Sequence, residues 1–226
     1  MSRARDPSAL DAIVPLRGEP LALELVNTTF IEGGARGRRV DVLREPEQLD
    51  RWLRGHADAF SAELQERLAA VHSTPDQVAS FQQLRHALRA CLEAVTTSNS
   101  PPEAALSVIN RCARDAAHWL EIAEAYPVSV VRRWNVRDWM RVAAGEVAAA
   151  GCELMRGSSR DRIRACPAAG CILFFVKTHP RREWCSPACG NRVRVARHGQ
   201  RHRPGASRSS SSNHQYWPEP EPPQVT

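Results

Sequence analysis

Four cysteines toward the C-terminal end of this 226-residue chain fall into two close pairs, Cys166-Pro-Ala-Ala-Gly-Cys171 and Cys185-Ser-Pro-Ala-Cys189, with thirteen residues between them. Two thiol pairs flanking a hairpin-sized segment match a tetrahedral Zn(II) site, which takes four soft ligands at about 2.3 Å. Gly170 lets the backbone fold back onto the metal. Residues 172–177 (ILFFVK) read as a strand and 179–182 (HPRR) as a turn. Ser186 and Pro187 suit a helix start, so Cys185 and Cys189 would flank a helix N-terminus, where the dipole favours thiolates. Four thiolates close the coordination sphere, so the zinc is expected to be structural. His179 stands as an alternative to one of them. Phe174, Phe175 and Trp184 are the few large apolar groups of so small a module, so the metal should supply much of its folding energy.

The helix after the last cysteine carries Arg194, Arg197, His198 and Arg201 at three- and four-residue intervals, which makes one face basic. Arg192 is a further candidate contact, or with Asn191 a support for the knuckle. Val193 and Ala196, with Val195, are expected to pack back on the module. Residues 160–208 hold twelve Lys/Arg against Asp161 and Glu183, a net +10, which leaves −4 on the rest of a chain whose total is +6. A basic end on a mildly acidic body suits a polyanion, and guanidinium groups suit phosphates and guanine edges.

Something must hold that helix in place, and the preceding residues read as mostly helical. Residues 21–30 (LALELVNTTF) favour a short helix after Pro20, and 32–39 (EGGARGRR) a flexible basic loop. Helices follow at 46–56, at 61–72 with Ser61 as N-cap, and at 74–97. The last has a stripe of Val78, Phe81, Leu84, Leu88, Cys91, Leu92 and Val95 and opens with Thr74-Pro75. Residues 98–116 start another helix, 118–123 and 127–134 form a small β-hairpin, and 135–157 are again helical. Cys91, Cys112 and Cys152 fall on helical patterns and should be buried and inert. The fold class is therefore mainly α: a helical N-terminal domain with a small β-hairpin, then a treble-clef-like four-cysteine zinc module ending in a basic helix. The expected boundaries are 1–19 flexible, 20–160 the helical domain, 161–203 the zinc module and 204–226 a disordered Ser/Pro-rich tail.

No run of eighteen apolar residues occurs, so no membrane span is expected, and the N-terminus lacks the apolar stretch of a secretory signal. A cytoplasmic location and reduced thiols follow, and seven cysteines, an odd number, argue against a fully paired disulfide framework.

Trp184-Cys185-Ser186 followed by Cys189-Gly190-Asn191-Arg192 resembles the CGNR zinc finger family. Residues 21–28 (LALELVNT) and 41–53 (DVLREPEQLDRWL) resemble the helical ABATE domain that accompanies this finger. The chain departs from the family pattern in having one residue fewer between the third and fourth cysteines than many members, and Lys177-Thr178-His179 where many carry Asp-x-Ser. The resemblance implies a bacterial, stress-related transcription regulator with a zinc-held finger proposed to bind DNA. By analogy with two-part regulators the body would sense a small-molecule effector, with Asn27 and Asp41, which match polar positions of the family pattern, lining its pocket. One basic helix reads few bases, so a homodimer formed through the body fits this reading. The alternatives are a zinc-stapled adaptor that meets an acidic protein and, with no nucleophile–base pair or phosphate loop to support it, a small-molecule enzyme. The expectation is therefore no catalytic residue.

Overall fold

A computed structural model describes residues 14–201, without the side chains of residues 125 and 199–201. Most of the expected flexible N-terminus (1–13) and all of the expected tail lie outside the described residues. The helices are α1 (Leu21–Val26), α2 (Pro46–Gly55), α3 (Ala62–Leu68), α4 (Pro75–Thr96), α5 (Glu103–Asp115), α6 (Trp139–Leu154), the single turn α7 (Gly157–Arg160) and α8 (Pro187–Arg201). The strands pair as three antiparallel hairpins: β1 (Thr29–Glu32) with β2 (Arg38–Asp41), β3 (His118–Ala125) with β4 (Val128–Trp134), and β5 (Ile163–Ala165) with β6 (Phe174–Val176). The fold is thus mainly helical with small hairpins. Among the described residues no helix is long and apolar enough to cross a membrane.

Local sequence sets most helix limits. Glu45 and Gln48 form a reciprocal cap with Pro46 in the first turn of α2. Thr74 Oγ1 accepts from the Gln77 amide at 3.3 Å, and Gln77 Oε1 accepts from the Thr74 amide at 2.9 Å, which starts α4. Asp138 caps α6 by accepting from the Met140 and Arg141 amides. Ser61 occupies the N-cap position of α3 but its hydroxyl donates instead to Glu146 of α6, and α3 ends at Leu68 rather than near residue 72. α6 starts at Trp139, four residues later than the periodicity implies.

α1 is the hub. All six of its residues are buried, and it packs against α4, α6 and β6. The main core gathers Leu23, Leu25 and Val26 with Leu49, Leu53, Phe81, Leu84, Leu88, Val142 and Val147. A second, smaller core holds Leu16, Phe30, Leu173, Phe175 and three of the four clustered cysteines. β6 divides them: Phe174 and Val176 enter the main core and Phe175 enters the second, the alternation a strand imposes.

Two sequence expectations fail here. Residues 32–39 are not a flexible loop. They close β1–β2 through a 3-10 turn at Gly34–Arg36, with Gly33 and Gly34 at positive φ, and Arg38 pairs with Glu32 across the hairpin. Residues 14–19 are not a free tail either: Leu16 and Glu19 are buried, and Glu19 Oε2 accepts from the Val176 amide at 2.8 Å. Of the three body cysteines Cys91 is buried and Cys112 half-buried, but Cys152 is exposed. Partial burial pushes all three thiols up, away from the nucleophilic thiolate.

Candidate metal centre and basic helix

The β5–β6 turn presents Cys166 and Cys171, and the first turn of α8 with the residue pair before it presents Cys185 and Cys189. The four sulfurs lie within 4.8 Å of one another. Cys171 Sγ is 3.7 Å from Cys185 Sγ, which is 3.5 Å from Cys189 Sγ. Tetrahedral Zn–S bonds of about 2.3 Å place sulfurs about 3.8 Å apart, so the donor set fits zinc in both chemistry and spread. His179 is exposed and accepts from the Arg181 amide at Nδ1; it does not join the cluster.

Crowding divides the acidity of the thiols. Hydrogen bonds from Cys171 and Cys185 pull Cys166 down to about 2, and sharing the proton with Cys166 pushes Cys171 up to about 12. Cys185 is pushed up by the same sharing with Cys166 and Cys171. Four thiolates at these separations repel one another strongly, and a divalent cation among them removes that conflict.

The surrounding chain supplies positive charge and donors to this centre. Arg192 Nη2 donates to Cys189 Sγ at 3.2 Å. Arg182 bonds the Cys185 carbonyl at 3.2 Å and the Val176 carbonyl at 3.0 Å, pairs with Glu19, and lies over the Phe175 ring. From α4, Arg89 donates to the carbonyls of Ile172 and Val26, each at 2.8 Å, and of Thr29 at 3.2 Å. Burial away from water pulls Arg89 down to about 10, and Glu93 opposes that shift. Groups like these orient ligands and balance the net negative charge of a zinc tetrathiolate.

Backbone contacts complete the seam. Gly170 has φ 72°, and a Cβ there would sit inside contact distance of the Gly34 and Ala35 backbone. The tip of β1–β2 therefore rests on the cysteine turn. On its other side, the Arg192 side chain passes 3.1 Å from where a Gly34 Cβ would be. Gly170→Ala combines left-handed strain with overpacking and is expected to cost about 2–4 kcal/mol. Urea unfolding together with zinc retention against a competing chelator will check it; wild-type behaviour in both would rule out a tight seam.

The predicted site residues separate into three groups. Cys166, Cys171, Cys185 and Cys189 come together. Arg194, Arg197 and His198 are exposed on α8; the Arg194 guanidinium bonds Asn191 Oδ1, and Arg197, four residues after Val193, lies 6.0 Å over the Trp184 ring. Arg201 ends α8, and its side chain lies outside the described residues. Arg192 points the other way and is half-buried against the knuckle, so of its two expected roles the geometry supports the structural one. Val193 packs inward, whereas Val195, at 73% exposed, and Ala196 do not. Gly190 makes room for the Trp184 ring, which a Cβ would approach to 2.9 Å.

Asn27 and Asp41 form internal bonds instead of lining a cleft. Asn27 is fully buried; its Nδ2 donates to the Phe174 carbonyl at 2.9 Å and its Oδ1 accepts from the Phe174 amide at 3.0 Å, a two-point clasp between α1 and β6. Asp41 accepts both Arg85 guanidinium nitrogens, at 2.7 and 2.6 Å, and the Leu43 amide at 2.9 Å. Neither lines the cleft around Glu24, Trp52 and His56 or the one around His118, Arg132 and Glu146. Sequence reasoning missed Glu19, Arg85, Arg89 and Arg182. The signal for two of them was present: Arg85 and Arg89 stand four apart, each directly after a leucine of the α4 stripe.

Comparison with known families agrees with this architecture. The model of the ABATE family, described as "Putative stress-induced transcription regulator", matches residues 19–158, and that of the CGNR zinc finger matches residues 162–202. No curated protein matches the chain. With most of its length matched by the first model and its four clustered cysteines inside the second, the chain belongs to the ABATE family and carries a CGNR zinc finger, a zinc-binding unit.

Proposed function

We propose that this protein is a zinc-dependent, DNA-binding transcription regulator, in which Cys166, Cys171, Cys185 and Cys189 hold the ion and α8 meets the phosphate backbone. The observation that carries the reading is the division of α8 into two faces. Cys189, Arg192 and Val193 fix one face to the knuckle, Arg194 and His198 lie on the opposite one, and Arg197, one turn after Val193, stands exposed at the border beside Trp184. The metal then acts as a clamp that aims a cationic helix, and chemistry at the metal is not needed. Both family matches are of regulator or zinc-finger type, which supports a role outside catalysis. A stress-linked role rests on the family description alone.

Phosphate contacts release counterions, so affinity should fall steeply with salt, each contact adding about 0.9 to the log–log slope. Fluorescence anisotropy of a labelled mixed-sequence duplex, read from low to physiological salt, measures that slope. Replacing Arg194 and Arg197 together by Ala should lower it by about 1.8 in total and weaken binding for all sequences alike. Salt-independent binding by the wild type, or an unchanged slope in the double variant, would remove α8 from the interface. An effector, if the body takes one, would enter a cleft such as the one around Glu24, Trp52 and His56, which Thr28 and Val42 line but Asn27 and Asp41 do not. Competition of metabolites with duplex binding tests that point.

A further inference from the structure

The β3–β4 hairpin leaves an unusual amount of apolar surface in water. Leu120, Ile122, Val128 and Val130 are 66, 69, 69 and 56% exposed, and Tyr126 at the tip is 96% exposed. The register pairs Ile122 with Val130 and Leu120 with Arg132, and Val128 stands two residues before Val130 on the same strand. Because side chains alternate along a strand, the four aliphatic residues share one face. The other face carries the Glu121–Arg133 ion pair at 3.3 Å together with Trp119, which is 54% exposed. Arg132, the one charge among the aliphatics, is drawn back toward the root of the hairpin, over the Trp134 ring and toward Glu63.

A two-stranded ribbon is marginal in water by itself, and a contiguous apolar patch on a soluble protein marks a contact surface. We propose that this face is a two-fold interface, occupied by the same face of a second copy of the chain. The patch is self-complementary in the sense a two-fold axis requires: aliphatic residues meet aliphatic residues, and no uncompensated charge faces its own image. The area also suffices. The exposed parts of the four aliphatics, with Tyr126 at the tip, amount to roughly 650 Å² per copy, so covering all five completely buries at most about 1,300 Å² in total, the lower end of the range of specific interfaces. Face-to-face packing of two twisted ribbons gives each hairpin the second layer it lacks. Two α8 helices would then be joined in one particle, but the pairing itself does not depend on nucleic acid.

Sedimentation equilibrium of the zinc-loaded full chain over a micromolar concentration series tests the proposal. The expected mass is twice the 25.1 kDa of one chain. Ile122→Lys should weaken pairing by roughly a hundredfold or more, as at a buried interface centre. Its zinc content and circular dichroism should stay those of the wild type, because Ile122 is exposed in the single chain. Should the lysine disturb the strand, Val130→Thr keeps shape and β preference while placing a hydroxyl in the interface, and it too must weaken the dimer. A wild type that stays at one chain's mass throughout, as it would if the face served a different partner, overturns the proposal. So does a correctly folded Ile122→Lys chain that keeps the doubled mass. Failure of duplex binding would leave either outcome unaffected.

Discussion

Removing zinc lowers the melting temperature of the entire helical body, well beyond the unfolding of the roughly forty-residue finger itself. That is the expected result of chelation, and Cys171→Ser should reproduce it. The β5–β6 hairpin contributes Ile163, Phe174 and Val176 to the main core. Asn27, Glu19 and Arg89 each hydrogen-bond the backbone of its turn or second strand. A structural zinc site of this kind is worth on the order of 10 kcal/mol in apparent folding energy, and a ligand that binds only the folded state adds its linkage term to the whole cooperative unit. If half of that reaches the body, a chain of this size should melt roughly 10–20 °C lower at about 2–4 °C per kcal/mol. Circular dichroism at the helix band, with and without chelator and after zinc is restored, gives the answer. An unchanged helix melt with an emptied site would show that the body does not depend on the finger.

Asp41→Ala should be the most damaging single change outside the cysteines. Arg85 is 1% exposed, and its charge is balanced by Asp41 on both guanidinium nitrogens, with Thr28 Oγ1 at 2.9 Å as the remaining partner. Losing the carboxylate strands a buried cation, which costs about 3–5 kcal/mol; water reaching the partly exposed Asp41 position argues for the lower end. Pairing the change with Arg85→Met should recover much of the loss, since an apolar pair of similar volume tolerates the site. Urea denaturation measures both. A single variant within about 1 kcal/mol of wild type would refute the structural role and return Asp41 to consideration as a ligand-binding group.

Much of this could be read from the residues alone. The cysteine pairs, the helix opened by Ser186-Pro187 and the long α4 stripe all have local causes, in ligand spacing, capping and period, and these the sequence displays. What stayed hidden is set by contacts distant in sequence. The segment 32–39 looks like a polar, glycine-rich loop, and the packing of its tip on Gly170, more than a hundred residues away, is invisible locally. Asn27 and Asp41 stood out only as matches to polar positions of the family pattern. Whether such a group faces a ligand or the chain's own backbone depends on which element lies opposite, and here these are β6 and α4. The basic face of α8 was legible as periodicity, yet Arg192 lay outside that period and the knuckle claimed it.

The side chains of β6 bear on how freely this finger can be exchanged among proteins. Metal knuckles are commonly pictured as cassettes, portable between unrelated partners. Here a three-residue strand sends alternate side chains into different cores, so cutting the chain at the family boundary would bare Phe174 and Val176 and strand the Asn27 amide. A graft onto a foreign scaffold would inherit sticky, half-finished surface. Zinc alone therefore does not make this unit modular.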